Sequence, residues 1–171
     1  MNQIKTLVLK RENISTLIQF IALVGIATVA PLLGQQVITG SIVNATLFIS
    51  VMFLGAQNAI LVGLIPSLIA LSVGLLPSVL APMIPFIMVG NTILIMTFNY
   101  LKERSFWIGM ILASAFKFLF LFGTSSIVIN LLLKKEIASK VAIIMSWPQL
   151  LTALAGGLIA YIFLKSIKIK E

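Results

Sequence analysis

Ala113-Ser114-Ala115-Phe116-Lys117-Phe118-Leu119-Phe120 is an apolar run with one charge in its middle. It lies inside a longer apolar segment, Ser105 to Leu133, and Lys117 is the only charged side chain set deep within such a segment. A cation at bilayer depth costs at least about 2.5–3.5 kcal/mol on insertion scales. Such a residue persists where it faces a partner, a cavity or a ligand. The reading of the chain therefore starts at Lys117 and asks what surrounds it.

The composition excludes a soluble domain. Of 171 residues, 60% are hydrophobic and 9% are charged, with a mean hydropathy of +1.18, whereas soluble domains carry about 25% charged residues. No charged residue occurs between Glu12 and Lys102, a run of 89 residues. A membrane helix needs about 20 apolar residues, so that run alone accommodates four passes. The expectation is an all-α, polytopic membrane protein, a single integral membrane domain over residues 1–171 with no extramembrane domain. No lone N-terminal apolar stretch precedes a soluble body, which argues against a cleaved secretory signal.

Cysteine and histidine are both absent. Disulfides and thiolate metal sites are excluded, and the commonest ligand for zinc, nickel or cobalt is missing. No metal and no cofactor is expected. The net charge of +8 would raise nucleic acid as a partner for a soluble protein. Here the basic residues sit at apolar-segment ends, as topology signals and contacts to anionic lipid.

Six helices are expected in one bundle, over about 14–33, 42–56, 59–76, 83–101, 106–133 and 148–164. The first follows a polar leader, Met1 to Asn13, and carries the small residues Ala22, Gly25, Ala27 and Ala30 before Pro31. Small residues let a second backbone approach closely, within the protein or on a different membrane subunit. Gly34 to Ser41 reads as a polar, glycine-bounded loop. Gln57-Asn58 reads as a tight turn, because both amides want partners that lipid lacks. Gly55, Ala59, Gly63 and Ser67 recur every fourth residue as a smooth packing face. Pro77, Pro82 and Pro85 mark a turn and a kinked start to the fourth helix. In the fifth, Gly109, Ala113 and Lys117 share one face, and the segment either tilts and extends or breaks at Gly123. Pro148 suits the first turn of the last helix.

Basic residues orient this bundle by the positive-inside rule. With both ends cytoplasmic, the inner side receives Lys5, Lys10, Arg11, Lys102, Arg104, Lys165, Lys168 and Lys170, and the outer side Lys134, Lys135 and Lys140. Substrate attraction is one reason for lysines outside.

The chemistry of the membrane part is defined by what it lacks. Catalysis needs pairs or triads that exchange protons or attack, and the apolar segments hold no Asp, Glu, His or Cys. A Ser–Lys dyad of Lys117 with Ser114 or Ser125 has no sequence support, and an ion-coupled carrier would show intramembrane carboxylates. No enzyme is expected. What remains is Lys117 with Asn44, Asn58, Asn91, Asn130, Gln149 and Trp147, the inventory of a pocket in which a few polar groups orient a small ligand within apolar walls. The plainer readings are interhelical hydrogen bonding for Asn44 and Asn91, interface anchoring for Trp147 and snorkelling for Lys117.

The pattern resembles the substrate-binding S component of energy-coupling-factor (ECF) transporters, small six-helix prokaryotic membrane proteins with cytoplasmic ends. The likeness lies in Val43-Asn44-Ala45, in Val62-Gly63-Leu64, in Ala115-Phe116-Lys117-Phe118-Leu119 and in Pro148-Gln149-Leu150-Leu151-Thr152-Ala153-Leu154-Ala155-Gly156-Gly157. It implies capture of a vitamin-like or other small molecule at the outer face of a prokaryotic cytoplasmic membrane. Release would follow docking on a transmembrane coupling subunit and two cytoplasmic ATPases; the chain has no phosphate-binding loop of its own. The family docks through an Ala-x-x-x-Ala pattern in its first helix; here the small residues are Ala22, Gly25, Ala27 and Ala30, at a different spacing. The lack of histidine argues against the nickel and cobalt branch. The expected binding residues are Lys117, Asn44, Asn91, Gln149 and Trp147. The competing expectation is a non-catalytic scaffold subunit of a larger complex, which predicts a filled interior around Lys117.

Overall fold

The computed structural model describes residues 2–72, 78–132 and 141–167, which fold into helices with no strand among them. Five helical segments are long and apolar enough to cross a membrane: Asn13–Leu33, Gln36–Ile69, Ala81–Leu101, Phe106–Val128 and Val141–Ser166. The end of the third expected helix at Leu76, and the lysines Lys134, Lys135, Lys140, Lys168 and Lys170, lie outside the described residues. So do the side chains of Asn130, Lys5, Lys10 and Arg11.

Helix α1 (Asn2–Val29) runs through the polar leader and passes into a 3-10 turn, Ala30–Leu33, with Pro31 in its first turn. Gly34 stops it at φ 67°, donating its N–H to the Pro31 carbonyl at 3.2 Å. A left-handed stop of this kind falls naturally to glycine. Helix α2 (Gln36–Ser72) follows at once, so the loop expected over Gly34 to Ser41 shrinks to its first two residues. Its polar side chains need no loop because they bond nearby carbonyls. Thr39 donates to Ala30 (3.0 Å), Ser41 to Val37 (2.8 Å) and Asn44 to Gly40 (2.8 Å). Such local bonds satisfy short polar residues inside a helix.

The helical run of α2 is interrupted at Gly55, with φ 73° and ψ 169°, a backbone region essentially confined to glycine. Its two legs, 36–54 and 56–72, lie side by side: a Cβ built on Gly63 would stand 3.3 Å from Leu47 Cδ2. Along a straight helix those residues would be about 24 Å apart. The chain therefore reverses at Gly55, two residues before the turn expected at Gln57-Asn58. Gln57 is exposed, and Asn58, at the start of the second leg, donates back across the turn to the Leu54 carbonyl at 3.1 Å.

A 3-10 turn, Ser78–Met83, leads into α3 (Ile84–Leu101), and a short turn at 102–104 leads into α4 (Phe106–Leu132). Helix α4 does not break at Gly123. The hydroxyls that follow it are absorbed by carbonyls one turn back, Thr124 on Phe120 (2.7 Å) and Ser126 on Phe122 (3.2 Å). Residues 141–144 form a further helical turn before α5 (Trp147–Ser166), where Pro148 occupies the first turn.

Helix α2 is the hub, with α1, α3 and α5 packed on it and α4 closing the bundle against α3 and α5. Ala59 and Gly63 face inward, Gly63 lying against Asn91 and Ile95 of α3, so the smooth face is an internal one. In α5, a Cβ on Gly156 would come within 2.7 Å of Asn44 Cβ and of the Ser41 carbonyl, and one on Gly157 would run into Met110. Gly156 lets α5 pack tightly on the first leg of α2 beside Asn44, and Gly157 lets it seat on Met110 of α4.

A ligand-sized cavity around Lys117

The lysine stands near the middle of α4, behind buried Gly109 and Ala113, and only 3% of its surface is exposed. Its Nζ donates to Asn44 Oδ1 at 2.6 Å and to Asn91 Oδ1 at 2.8 Å. One cation thus joins α4 to the first leg of α2 and to α3. The amides are turned oxygen-first because their nitrogens are occupied. Asn44 Nδ2 donates to the Gly40 carbonyl at 2.8 Å and reaches Thr152 Oγ1 at 3.5 Å; Asn91 Nδ2 donates to the Gly63 carbonyl at 3.1 Å. Thr152 in turn donates to the Gln149 carbonyl at 3.2 Å. Sequence order hides this arrangement, since Lys117 is 73 residues from Asn44 and 26 from Asn91.

An ammonium carries three protons, and two are placed. Among the described residues no carboxylate pairs with it. Of the chain's four acidic residues, only Glu103 has a described side chain, and it is exposed in the turn between α3 and α4. Buried charges are ordinarily paired; here two neutral amide oxygens do that work, and the ammonium borders a cavity of about 310 Å³. Asn44, Asn91 and Lys117 form part of its wall. Ala27, Val43, Val62, Pro66, Ile84 and Ile87 supply much of its apolar surface. At the rim, Gln36 and Gln149 both donate to one acceptor, the Ile144 carbonyl, at 2.9 and 3.1 Å. The cavity occupies the end of the bundle where α1 stops, α2 starts and ends, and α3 and α5 begin. The Gly55 turn and the turn at 102–104 lie at the opposite end.

Lys117, Asn44, Asn91 and Gln149 thus meet at one cavity. Trp147 does not join them: it is 67% exposed and stacks on Phe118, centroids 5.6 Å apart and planes at 23°. Nor do the four small residues of α1 and its 3-10 extension share an outward face. Ala22 and Gly25 are exposed, whereas Ala27 and Ala30 are buried in the bundle and Ala27 lines the cavity. The reason is geometric, since residues 22 and 27 fall on different sides of a 3.6-residue helix. No Ser–Lys dyad forms. Ser125 donates to the Phe122 carbonyl at 2.9 Å, and the buried Ser114 hydroxyl makes no hydrogen bond.

Sequence reasoning missed most of the wall. The aliphatic residues look like any others in an apolar helix. Thr39, Gly40 and Thr152 left a faint signal: a polar residue, a glycine and a threonine inside otherwise apolar helices. No family model, no curated protein and no solved structure matches the chain.

Proposed function

We propose that this chain is a substrate-capturing membrane subunit of an ECF-type importer, which holds a small vitamin-like or polar molecule for ATP-driven uptake by partner subunits. The observation that carries the proposal is a cavity of about 310 Å³ bordered by a buried, amide-held cation with one donor to spare. That volume lies at the small end of the roughly 300–1,000 Å³ usual for small-molecule pockets. A scaffold would have no need of such a hollow.

In this reading the α2 hairpin makes two passes, for six in all. Lys102, Arg104 and Lys165 gather at the end opposite the cavity, and the positive-inside rule puts that end in the cytoplasm. The cavity then opens to the outside of a prokaryotic cytoplasmic membrane, where a capture subunit needs it. A transmembrane coupling subunit and cytoplasmic ATPases would supply the energy, and the chain itself performs no catalysis.

The test is to purify the chain in detergent and search for a co-purifying small molecule by mass spectrometry. The expected result is a near-stoichiometric ligand that is lost from Lys117→Ala. Absence of any ligand from several growth media, with thermal stability unchanged in Lys117→Ala, would leave the scaffold as the better account.

A further inference from the structure

We infer that the ligand of this cavity is a small aliphatic monocarboxylate, bound with its carboxylate on the Lys117 ammonium and its hydrocarbon part against the walls. The inference rests on the capture reading above and narrows it to a class of molecule.

Charge balance gives the head group. Lys117 is the only charged side chain among the described residues that line the cavity, and a buried charge is tolerated when it is paired one to one. A monoanion satisfies that count. A dianionic phosphate monoester would leave an excess negative charge, and a cation would meet repulsion. The donor geometry agrees. Asn44 and Asn91 spend their oxygens on Nζ and a proton each on Gly40 and Gly63. Asn44 also reaches Thr152 with its amide nitrogen. What remains for a guest around the ammonium is its third proton and one Asn91 amide proton, both donors. The acceptors of the lining, Gln36, Gln149 and Ser67, lie apart from this cluster's own hydrogen bonds. An anion made only of acceptors suits that set.

The walls give the body of the ligand. Val43, Val62, Ile84, Ile87 and Ile144 are branched aliphatic side chains, and no described residue lining the cavity is aromatic. The chain has 11 phenylalanines, two tryptophans and two tyrosines, so their absence from this one surface is a feature of the site. Recognition of flat, electron-rich rings commonly uses stacking partners, and none is offered here.

The experiment uses the full chain in detergent and reads binding by thermal shift and by equilibrium dialysis. The probes are butanoate, hexanoate and octanoate, each beside the primary amide and the phosphate monoester of the same carbon skeleton. At least one carboxylate should bind about tenfold to a hundredfold more tightly than its amide, the range expected for a hydrogen bond to a charged group. It should also bind more tightly than its phosphate. Lys117→Met should abolish the preference. Because that variant could misfold, Val43→Phe provides a second arm: it fills the cavity without touching the lysine or its amides, and should remove binding with the fold intact. If carboxylate, amide and phosphate bind equally, or if the co-purifying ligand is cationic, dianionic or aromatic, this inference is overturned while capture of a small molecule stands. If nothing binds and nothing co-purifies, both fail.

Discussion

The two ends of this bundle are built from the same helices and differ in what fills them. Around Phe98, aromatic rings pack in a chain of edge-to-face and tilted pairs. Phe48 lies 4.8 Å from Phe98, Phe98 5.2 Å from Phe106, and Phe106 5.4 Å from Tyr161. Such pairs add about 0.5–1.5 kcal/mol each beyond area burial. At the Lys117 end no ring of a described residue lines the cavity, which is bounded by aliphatic side chains, prolines and one polar cluster; the Phe118–Trp147 stack lies outside it. The difference shows that the hollow is no general looseness of the fold. It lies where Gly34 stops the first helix and where Asn44 and Asn91 tie α2 and α3 to Lys117 of α4.

Truncation at the packed end should cost most. Phe48→Ala removes a fully buried ring, and a loss of about 3–5 kcal/mol is expected, measured as reversible unfolding in detergent; ligand affinity per folded molecule should not change. The same chemistry at the hollow end should cost less, because the removed atoms already border empty space. Ile87→Ala is expected near 2 kcal/mol, the low end for such changes. Equal losses at both sites would break the contrast between the ends.

Next in size is the polar cluster. Asn44→Leu leaves the ammonium with one amide and should destabilise by about 2–3 kcal/mol, in line with hydrogen bonds to charged groups. The triple replacement Lys117→Met, Asn44→Leu, Asn91→Leu should recover much of that loss, because apolar residues of similar volume often substitute for buried charge networks without cost. It should bind nothing. A triple variant less stable than Asn44→Leu alone would mean that the cluster is chiefly structural. Smaller still, Gly55→Ala should cost about 1–2 kcal/mol through backbone strain alone, since nothing lies within 4 Å of the added Cβ. The smallest effect belongs to Gln36→Ala at the exposed rim, within about 0.5 kcal/mol in stability.

Much of the fold was legible because apolar length and charge spacing are strong signals. The charge-free run from 13 to 101, the isolated Lys117 and the proline-rich bend needed only counting. The turns were less legible. Gln57 and Asn58 look like turn residues, and Asn58 does bond across the turn to Leu54, yet the reversal itself falls on Gly55, whose freedom of φ no polarity scale records. Thr39 and Ser41 misled in the same way, since their hydroxyls bond helical carbonyls. Of the candidate site, the cation and its amides were readable because each is polar against an apolar background. Trp147 is equally conspicuous but stacks on Phe118 outside the cavity, and polarity carries no information about direction. The aliphatic wall could not be read at all, because a valine beside a void and a valine in a core are the same letter.

The hairpin at Gly55 has a consequence for how such a chain would be threaded into a bilayer. Its bend carries no lysine or arginine, and none occurs anywhere from residue 13 to 101, so the two legs have no topogenic marker of their own. They would have to enter as a couple, taking their orientation from the basic residues early in α1 and those that follow α3. In the orientation proposed above, a lysine introduced at exposed Gln57 would reinforce the arrangement, whereas one at exposed Val37, at the other extremity of the first leg, would set the pair against its neighbours.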